Sequence, residues 1–257
     1  MNLTTKTMIA TASILLALSS ASGIPAEAAA AKPQSKTKAT PGKNNLELQK
    51  KEAMAIHSSP KNPGDLTVMY DGTDNTLSYN FLSINSAKYE DYLNLLSDHK
   101  APELKQPAWL PEGYVFQSGE ISPPYFHFLS QAYQDMLEKL KTEAKGKKYV
   151  AKKLNWSEAG EAAIVFAQEK DIIRISAKRV QPLITEITRV PGKGEKFEKL
   201  SLDGIQAIFS TGSNAVYSTK LTWEDTENQL EYEIATYRKS PLTKEDLVAI
   251  AESILQE

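Results

Sequence analysis

The C-terminal part of the chain alternates apolar and polar residues with the period of two that is typical of a half-buried β-strand. Leu221 and Trp223 flank a threonine, and Leu230, Tyr232 and Ile234 are each separated by one glutamate. Successive side chains of a strand point to opposite faces of the sheet. One face of these strands is therefore buried and the other is wet, which indicates an antiparallel sheet.

Other segments rich in β-branched and aromatic residues, bounded by glycine, proline or acidic turns, indicate further strands. Together with the alternating pair, the expected strands cover residues 66–70, 77–84, 114–121, 148–154, 162–168, 172–178, 183–189, 205–210, 216–223 and 230–237. No internal repeat is visible among them.

A long central helix is expected over residues 123–145. Pro123 and Pro124 favour a helix start, because the missing N–H of proline is not needed in the first turn. Gly146 is a natural stop. Between them, apolar residues recur every three or four positions, as they do on the buried face of an amphipathic helix.

A second clear helix is expected at the C-terminus. Thr243 is a suitable N-cap, and the residues up to Leu255 form one apolar face. Shorter helices are expected over residues 46–56 and 88–97. The sequence therefore predicts an α+β protein, with a mainly antiparallel, curved sheet packed by the long central helix and the C-terminal helix.

The N-terminus has the pattern of a secretory signal peptide. Lys6 precedes an apolar run over residues 8–21, and a small-x-small sequence ends at Ala28. The run is shorter than the ~20 residues that cross a bilayer as a helix. We expect cleavage near Ala28 and a secreted, extracytoplasmic protein.

The remaining chain divides into three parts by composition. Residues 29–45 contain few large apolar groups and are expected to form a flexible basic leader, either a solvated spacer or a weak tether to an anionic envelope surface. Residues 46–108 are expected to form a small α+β subregion. Residues 109–257 are expected to form the antiparallel-sheet domain that ends in the C-terminal helix.

Composition argues against several functional classes. The chain has no cysteine, which excludes disulfides, thiolate nucleophiles and Cys-ligated metals. The formal charge of -2, from 30 basic and 32 acidic residues, argues against a nucleic-acid partner. The three histidines lack a second ligand at metal-binding spacing, and no glycine motif matches a phosphate loop. We therefore expect no cofactor, no metal and no catalytic residues.

Two groups of residues are candidates for binding. The first is an apolar groove between sheet and helix, or alternatively ordinary core, formed by Phe126, Leu129, Tyr133, Leu137, Trp223 and Tyr232. The second is a charged partner surface, or alternatively a solvated face, formed by Lys145, Lys147, Lys148, Lys152 and Lys153.

Several motifs occur in an order that resembles a known bacterial family. The sequence Trp-Leu-Pro-Glu-Gly-Tyr over residues 109–114 begins the longest patterned region, and Trp223 and Tyr232 follow on neighbouring expected strands. Residues 242–254 then read Leu-Thr-Lys-Glu-Asp-Leu-Val-Ala-Ile-Ala-Glu-Ser-Ile. Over about residues 109–257 the chain resembles the domain-of-unknown-function family four-three-six-seven. That domain occurs in extracytoplasmic parts of anti-sigma-factor-like proteins and in exported proteins.

The resemblance implies a half-barrel-like sheet with a C-terminal helix, and it implies no catalytic residues. Together with the signal peptide, it suggests an exported, non-enzymatic binding or sensor module of the cell envelope. The alternative is a carrier of a lipid or other apolar ligand, and a third hypothesis is an envelope enzyme of unrecognised type. The expected partner is an envelope protein or an apolar ligand.

Overall fold

The structure is a computed structural model that describes residues 41–185, 190–213 and 215–256. The helices are α1 (Pro41–His57), α2 (Tyr89–Asp98), α3 (Gln131–Ala144) and α4 (Lys244–Leu255). The strands are β1 (Leu66–Asp71), β2 (Thr76–Phe81), β3 (Ile84–Ser86), β4 (Val115–Ser122), β5 (Tyr149–Leu154), β6 (Glu161–Gln168), β7 (Asp171–Arg179), β8 (Lys196–Leu202), β9 (Ile205–Thr211), β10 (Tyr217–Asp225) and β11 (Leu230–Tyr237).

The N-terminal predictions fall largely outside this range. The predicted signal peptide and the predicted leader up to residue 40 lie outside the described residues. The last residues of the predicted leader, 41–45, belong to α1. Among the described residues, no helix is both long enough and apolar enough to span a membrane.

The strands form two antiparallel sheets, which confirms the predicted α+β class. The small sheet has the order β2-β1-β5, and the large sheet has the order β3-β4-β6-β7-β11-β10-β9-β8. Every neighbouring pair is antiparallel. The large sheet is open and does not close into a barrel.

The two sheets exchange strands across the position where the sequence predicts a domain boundary. Strand β3 comes from the predicted subregion over residues 46–108, yet it pairs with β4 in the large sheet. Strand β5 comes from the predicted domain over residues 109–257, yet it pairs with β1 in the small sheet. The chain therefore crosses between the two sheets more than once, first between β2 and β3 and again between β4 and β5.

The main hydrophobic core lies on one face of the large sheet. Trp223 is fully buried there, and its ring stacks on Tyr232 with centroids 5.2 Å apart. Helices α2 and α4 cover this face and contribute the buried residues Tyr92, Leu96, Leu247, Ile250 and Ala251. The predicted C-terminal helix is confirmed. Thr243 and Asp246 form a reciprocal capping box at its start.

The central helix is shorter than predicted and packs elsewhere. It begins at Gln131, because the Ser130 side chain accepts a hydrogen bond from the Tyr133 N–H and caps the first turn. Its buried residues Tyr133, Leu137 and Leu140 pack against Val68 and Tyr70 of the small sheet. A helix is thus present within the predicted range 123–145, but its predicted length and its predicted position on the main sheet are not confirmed.

Some strand predictions failed because the local pattern of apolar residues does not determine which strand a segment pairs with. The predicted strand 77–84 is divided, because the chain leaves the small sheet after Phe81 and joins the large sheet at Ile84. Of the predicted strand 183–189, Leu183 forms only an isolated bridge with Ser130, and residues 186–189 lie outside the described residues. Strand β8 was missed, because its charged residues Lys196, Glu198 and Lys199 obscure the apolar alternation.

The Pro-x-Gly-Tyr sequence before β4 is a structural anchor. Gly113 has a φ of 84°, in the left-handed region that side chains with a Cβ rarely adopt. The next residue, Tyr114, donates its hydroxyl to the Asp171 carboxylate at the start of β7. Asp171 also accepts a 2.6 Å hydrogen bond from Ser240, just before α4. The motif thus joins the start of β4 to β7 and to the segment that leads into α4.

Gly119 in β4 is a test of the packing between α2 and the large sheet. An added Cβ would lie 2.3 Å from the Tyr92 ring. That ring is held in place because its hydroxyl donates to the Leu104 carbonyl over 2.9 Å. We expect Gly119→Ala to lower the free energy of unfolding by about 1–3 kcal/mol, as overpacking of a core does. Urea denaturation measures the loss, with Ser118→Ala as the control, and an unchanged midpoint would contradict the packing described.

Candidate functional site

An open groove of about 580 Å³ lies between β2, α3 and the segment over residues 123–130. Its size is within the range of small-molecule and peptide pockets, ~300–1,000 Å³. Most of its lining is apolar or aromatic: Leu77 and Tyr79 from β2, Tyr125, Phe126, Phe128 and Leu129 from the segment, and Tyr133 and Leu137 from α3. We call this feature the aromatic groove.

Ring contacts fix the wall of the aromatic groove. Phe126 packs edge-to-face on Tyr79 with centroids 6.1 Å apart, and Tyr125 stacks on Phe81 at the same distance with an interplanar angle of 14°. Both geometries are favourable for aromatic pairs. Phe128, in contrast, is 59% exposed. A large apolar side chain therefore stands open to solvent at the groove, where a ligand can cover it.

Residues that follow β7 hold the aromatic segment in position. The Gln181 side chain donates to the Tyr125 carbonyl over 2.6 Å and accepts from the His127 N–H over 2.8 Å. Ile184 donates its N–H to the Leu129 carbonyl. The groove wall is thus anchored to the end of a strand of the large sheet, although the groove itself lies beside the small sheet.

The aromatic groove runs beside the free edge of β2. β2 is a terminal strand of the small sheet. The Leu82 N–H bonds to the Asp65 carbonyl, so the main-chain groups of Leu82 point towards β1, and those of successive residues point alternately towards and away from it. By that alternation the main-chain groups of Leu77 and Tyr79 point away from β1. The Tyr133 hydroxyl accepts the Leu77 N–H over 2.7 Å, which is consistent with this orientation. The next outward donor and acceptor belong to Tyr79.

The side chain of Tyr79 adds a further polar group at this position. Its hydroxyl is buried, and no hydrogen-bond partner lies within the described part of the chain. Burial, and the nearby Tyr133, raise the pKa of this phenol well above its usual value. The hydroxyl therefore stays protonated and is able to donate to a ligand that enters the groove.

The predicted groove residues separate into two sets. The structure brings Phe126, Leu129, Tyr133 and Leu137 together in the lining of the aromatic groove. It places Trp223 and Tyr232 in the core of the large sheet. Of the first four, Tyr133 and Leu137 are also buried in the core of the small sheet, so they fit both alternatives. Trp223 and Tyr232 fit the core alternative.

The five predicted lysines do not form one surface. Lys152 and Lys153 are neighbours on β5, so their side chains point to opposite faces of the small sheet. Lys152 pairs with Glu143 over 2.6 Å, and the Lys148 ammonium donates to the Gly72 carbonyl. Lys145 and Lys147 are exposed between α3 and β5.

The face of the large sheet that the sequence predicted to be wet is only partly exposed, and it carries a charged network that the sequence analysis did not identify. Arg174 contacts Glu120 and Glu161, each over 2.7 Å, and Lys220 pairs with Glu233 over 2.9 Å. Further charged residues on this face are Lys178, Glu224 and Glu231. The signal that could have revealed it is the even spacing of the charged residues, which places Arg174 and Lys178 on one face of β7 and Glu231 and Glu233 on one face of β11.

Within this network, Glu231 has an unusual protonation equilibrium. Its side chain is only 13% exposed, and the Lys178 ammonium lies 3.7 Å away, beyond a good hydrogen bond. Glu224 lies directly opposite on β10. Burial raises the pKa of Glu231 to about 7, and the neighbouring carboxylates Glu233 and Glu224 act in the same direction against Lys178. Burial also raises the pKa of Glu224.

His127 is the histidine that lines the aromatic groove. Its Nδ1 accepts the Leu129 N–H over 3.2 Å. Burial lowers the pKa of His127, and the charge of Lys178 lowers it further, so the ring is neutral at pH 7. The groove therefore presents a neutral, mainly apolar surface, which is suited to binding an apolar group.

Comparison with known proteins does not supply a relative: no family model, no curated protein and no solved structure matches the chain. Within the described residues, no three His, Asp or Glu side chains are grouped closely enough to hold a metal ion. The functional argument therefore depends on the aromatic groove and its surroundings.

The raised pKa of Glu231 predicts a specific pH dependence of stability. The folded protein holds this proton more tightly than the unfolded chain, whose pKa is near 4.5. Stability is therefore greatest below pH 4.5 as far as this group is concerned, and it declines as the pH rises towards 7. We expect Glu231→Gln to remove a decline on the order of 3 kcal/mol.

Urea denaturation at pH 5 and pH 8 measures this difference. Glu227→Gln, in the exposed turn between β10 and β11, is the matched control and should behave like the wild type. An equal pH dependence in Glu231→Gln and in the wild type would show that Glu231 titrates normally.

Proposed function

We propose that the protein is an exported, non-enzymatic binding or sensor module of the bacterial cell envelope. In this proposal the aromatic groove holds an extended apolar segment of a partner protein. The observation that carries it is the position of the groove, which places the exposed ring of Phe128 and several half-buried aromatic rings beside the free edge of β2. The predicted signal peptide and the resemblance to an extracytoplasmic domain family support the location, and both remain predictions.

The chemistry of a free strand edge favours a polypeptide. Unpaired N–H and C=O groups along an edge accept an additional strand, while the neighbouring pockets select its alternate side chains. In β2 the outward groups of Tyr79 lie at the groove, and Phe128 is exposed beside them. An extended chain would satisfy the backbone groups and cover the rings at the same time.

The alternative is a carrier of a lipid or another apolar ligand. The apolar lining and the volume of about 580 Å³ are compatible with an acyl chain. An acyl chain, however, offers no groups that pair with the N–H and C=O of Tyr79. The two functions therefore differ in whether the backbone of β2 takes part in binding.

A pair of variants at Tyr79 distinguishes the two functions. Tyr79→Ala and Tyr79→Pro both remove the ring, but only proline removes the outward N–H, and proline is tolerated on an edge strand. For a synthetic peptide of alternating valine and threonine, we expect Tyr79→Pro to bind about tenfold more weakly than Tyr79→Ala, the loss of about one hydrogen bond. Fluorescence anisotropy measures the affinities, and thermal melting confirms that both variants are folded.

Phe128→Ser tests the groove itself. Because Phe128 is largely exposed, its loss should change the stability by no more than about 0.5 kcal/mol. The affinity for the peptide should nevertheless fall about tenfold, since the ring is covered only in the complex. Equal affinities of Tyr79→Pro and Tyr79→Ala, with a labelled fatty acid bound tightly, would instead favour the carrier.

Export is tested separately. N-terminal sequencing of the protein recovered from the culture medium or envelope of its source should begin at or near Ala29, following the predicted cleavage after Ala28. An intact Met1 on protein in the cytosol would contradict the envelope location.

A further inference from the structure

Lys178 connects the charged network of the large sheet to the aromatic groove. Its side chain extends from the polar face of β7, and its ammonium lies 3.7 Å from Glu231. The same ammonium is a hydrogen-bond partner of the Tyr125 hydroxyl and lies 5.7 Å from the centroid of that ring. Tyr125 is a wall residue of the aromatic groove and stacks on Phe81 of the small sheet. One side chain therefore contacts both features.

A row of charges crosses four strands at this position. Glu161 on β6 is opposite Lys178 on β7, Lys178 is opposite Glu231 on β11, and Glu231 is opposite Glu224 on β10. One base thus stands among three carboxylates in the row. Cross-strand neighbours are only about 4.5–5.5 Å apart at Cβ, and like charges that face each other directly are destabilising.

The other bases of this face have closer partners. Arg174 is bound by Glu120 and Glu161, and Lys220 is bound by Glu233. Lys178 is therefore the base that responds to the charge of Glu231. The titratable groups that face Glu231 are Glu161 from β6, Lys178 from β7, Glu224 from β10, Glu233 from β11 and the phenol of Tyr125.

We propose that proton binding by the Glu224/Glu231 pair regulates the aromatic groove through Lys178 and Tyr125. This inference rests on the proposed function of the groove. When Glu231 is ionised, its carboxylate attracts the Lys178 ammonium away from Tyr125. When Glu231 is protonated, that attraction disappears and the ammonium stays bonded to the Tyr125 hydroxyl. The ring is then held in the groove wall, which makes the groove better ordered for binding.

The protonation equilibrium of Glu231 places this change in a physiological range. Burial raises the pKa of Glu231 to about 7, so its charge changes between about pH 6 and pH 8. His127 also lies near Lys178, but its lowered pKa keeps it neutral through this interval. The groove should therefore bind more tightly on the acidic side of neutrality.

Binding of the uncharged dye Nile red at pH 6 and pH 8 tests the regulation. We expect the wild type to bind at least about fivefold more tightly at pH 6, the lower end of couplings between distinct sites. Glu231→Gln should bind equally at both pH values, with the affinity that the wild type has at pH 6. Lys178→Met should also lose the pH dependence, whereas the control Glu227→Gln should keep it.

A second measurement needs no ligand. The ring resonances of Tyr125 in an NMR titration should move with a midpoint near pH 7 in the wild type and stay constant in Glu231→Gln. Resonances that do not move, or a Glu231→Gln variant that keeps the pH dependence of dye binding, would overturn the regulation. A Tyr125 titration with a midpoint near pH 7, in a protein that binds neither Nile red nor the peptide at any pH, would reject the proposed function and leave the link from Glu231 to Tyr125 standing.

Discussion

The large sheet has to bury one row of side chains on each strand in an apolar core and place the other row on a polar face. On the buried side, the stacked pair of Trp223 and Tyr232 lies under the helices, and α4 completes the cover. Burial of each large apolar side chain contributes ~1.5–3 kcal/mol, so this face supplies most of the stability that the fold requires. The hydrogen bonds from Tyr114 and Ser240 to Asp171 support this core, because they fix the start of β4 and the segment before α4 relative to β7.

The opposite side of the same strands is polar and only partly exposed. Small residues such as Ala163 and Ala235 alternate along it with long charged side chains, and these form ion pairs across the strands. At one end of this face, the chain leaves β7 and immediately contacts the segment that carries Tyr125 and Phe126. The polar face of one sheet and the aromatic groove beside the other are thus neighbours because of the connection after β7, not because of their positions in the sequence.

The sequence allowed the prediction of which residues face a core, but not of which sheet they belong to. The alternation around Trp223 and Tyr232 correctly indicated an antiparallel sheet, and Thr243 correctly indicated the cap of α4. Period alone does not distinguish one sheet from another, so β3 and β5 could not be assigned to their partners. The same difficulty grouped Phe126 with Trp223 in one candidate site.

The remaining errors have local causes. Pro123 and Pro124 are compatible with a helix start, but a serine hydroxyl that accepts a backbone N–H is a stronger signal, and Ser130 provides it. The charged network escaped prediction because cross-strand neighbours such as Lys178 and Glu231 lie far apart in the sequence. The family resemblance gave an architecture of the observed class, although the comparisons with known proteins do not support membership.

Two of the four terminal strands, β2 and β8, differ in a way that affects how the protein behaves in solution. β8 carries Lys196, Glu198 and Lys199, and charges on an outer strand discourage another chain from pairing with it. β2 has no charged residue, and aromatic side chains lie beside it. An edge that is open to a partner is equally open to a second molecule of the same protein. Natural β-proteins protect such edges from self-association with charges, prolines or covering segments. Because β2 lacks charged residues, the solubility of the protein should depend on how much of it has this edge occupied by a partner.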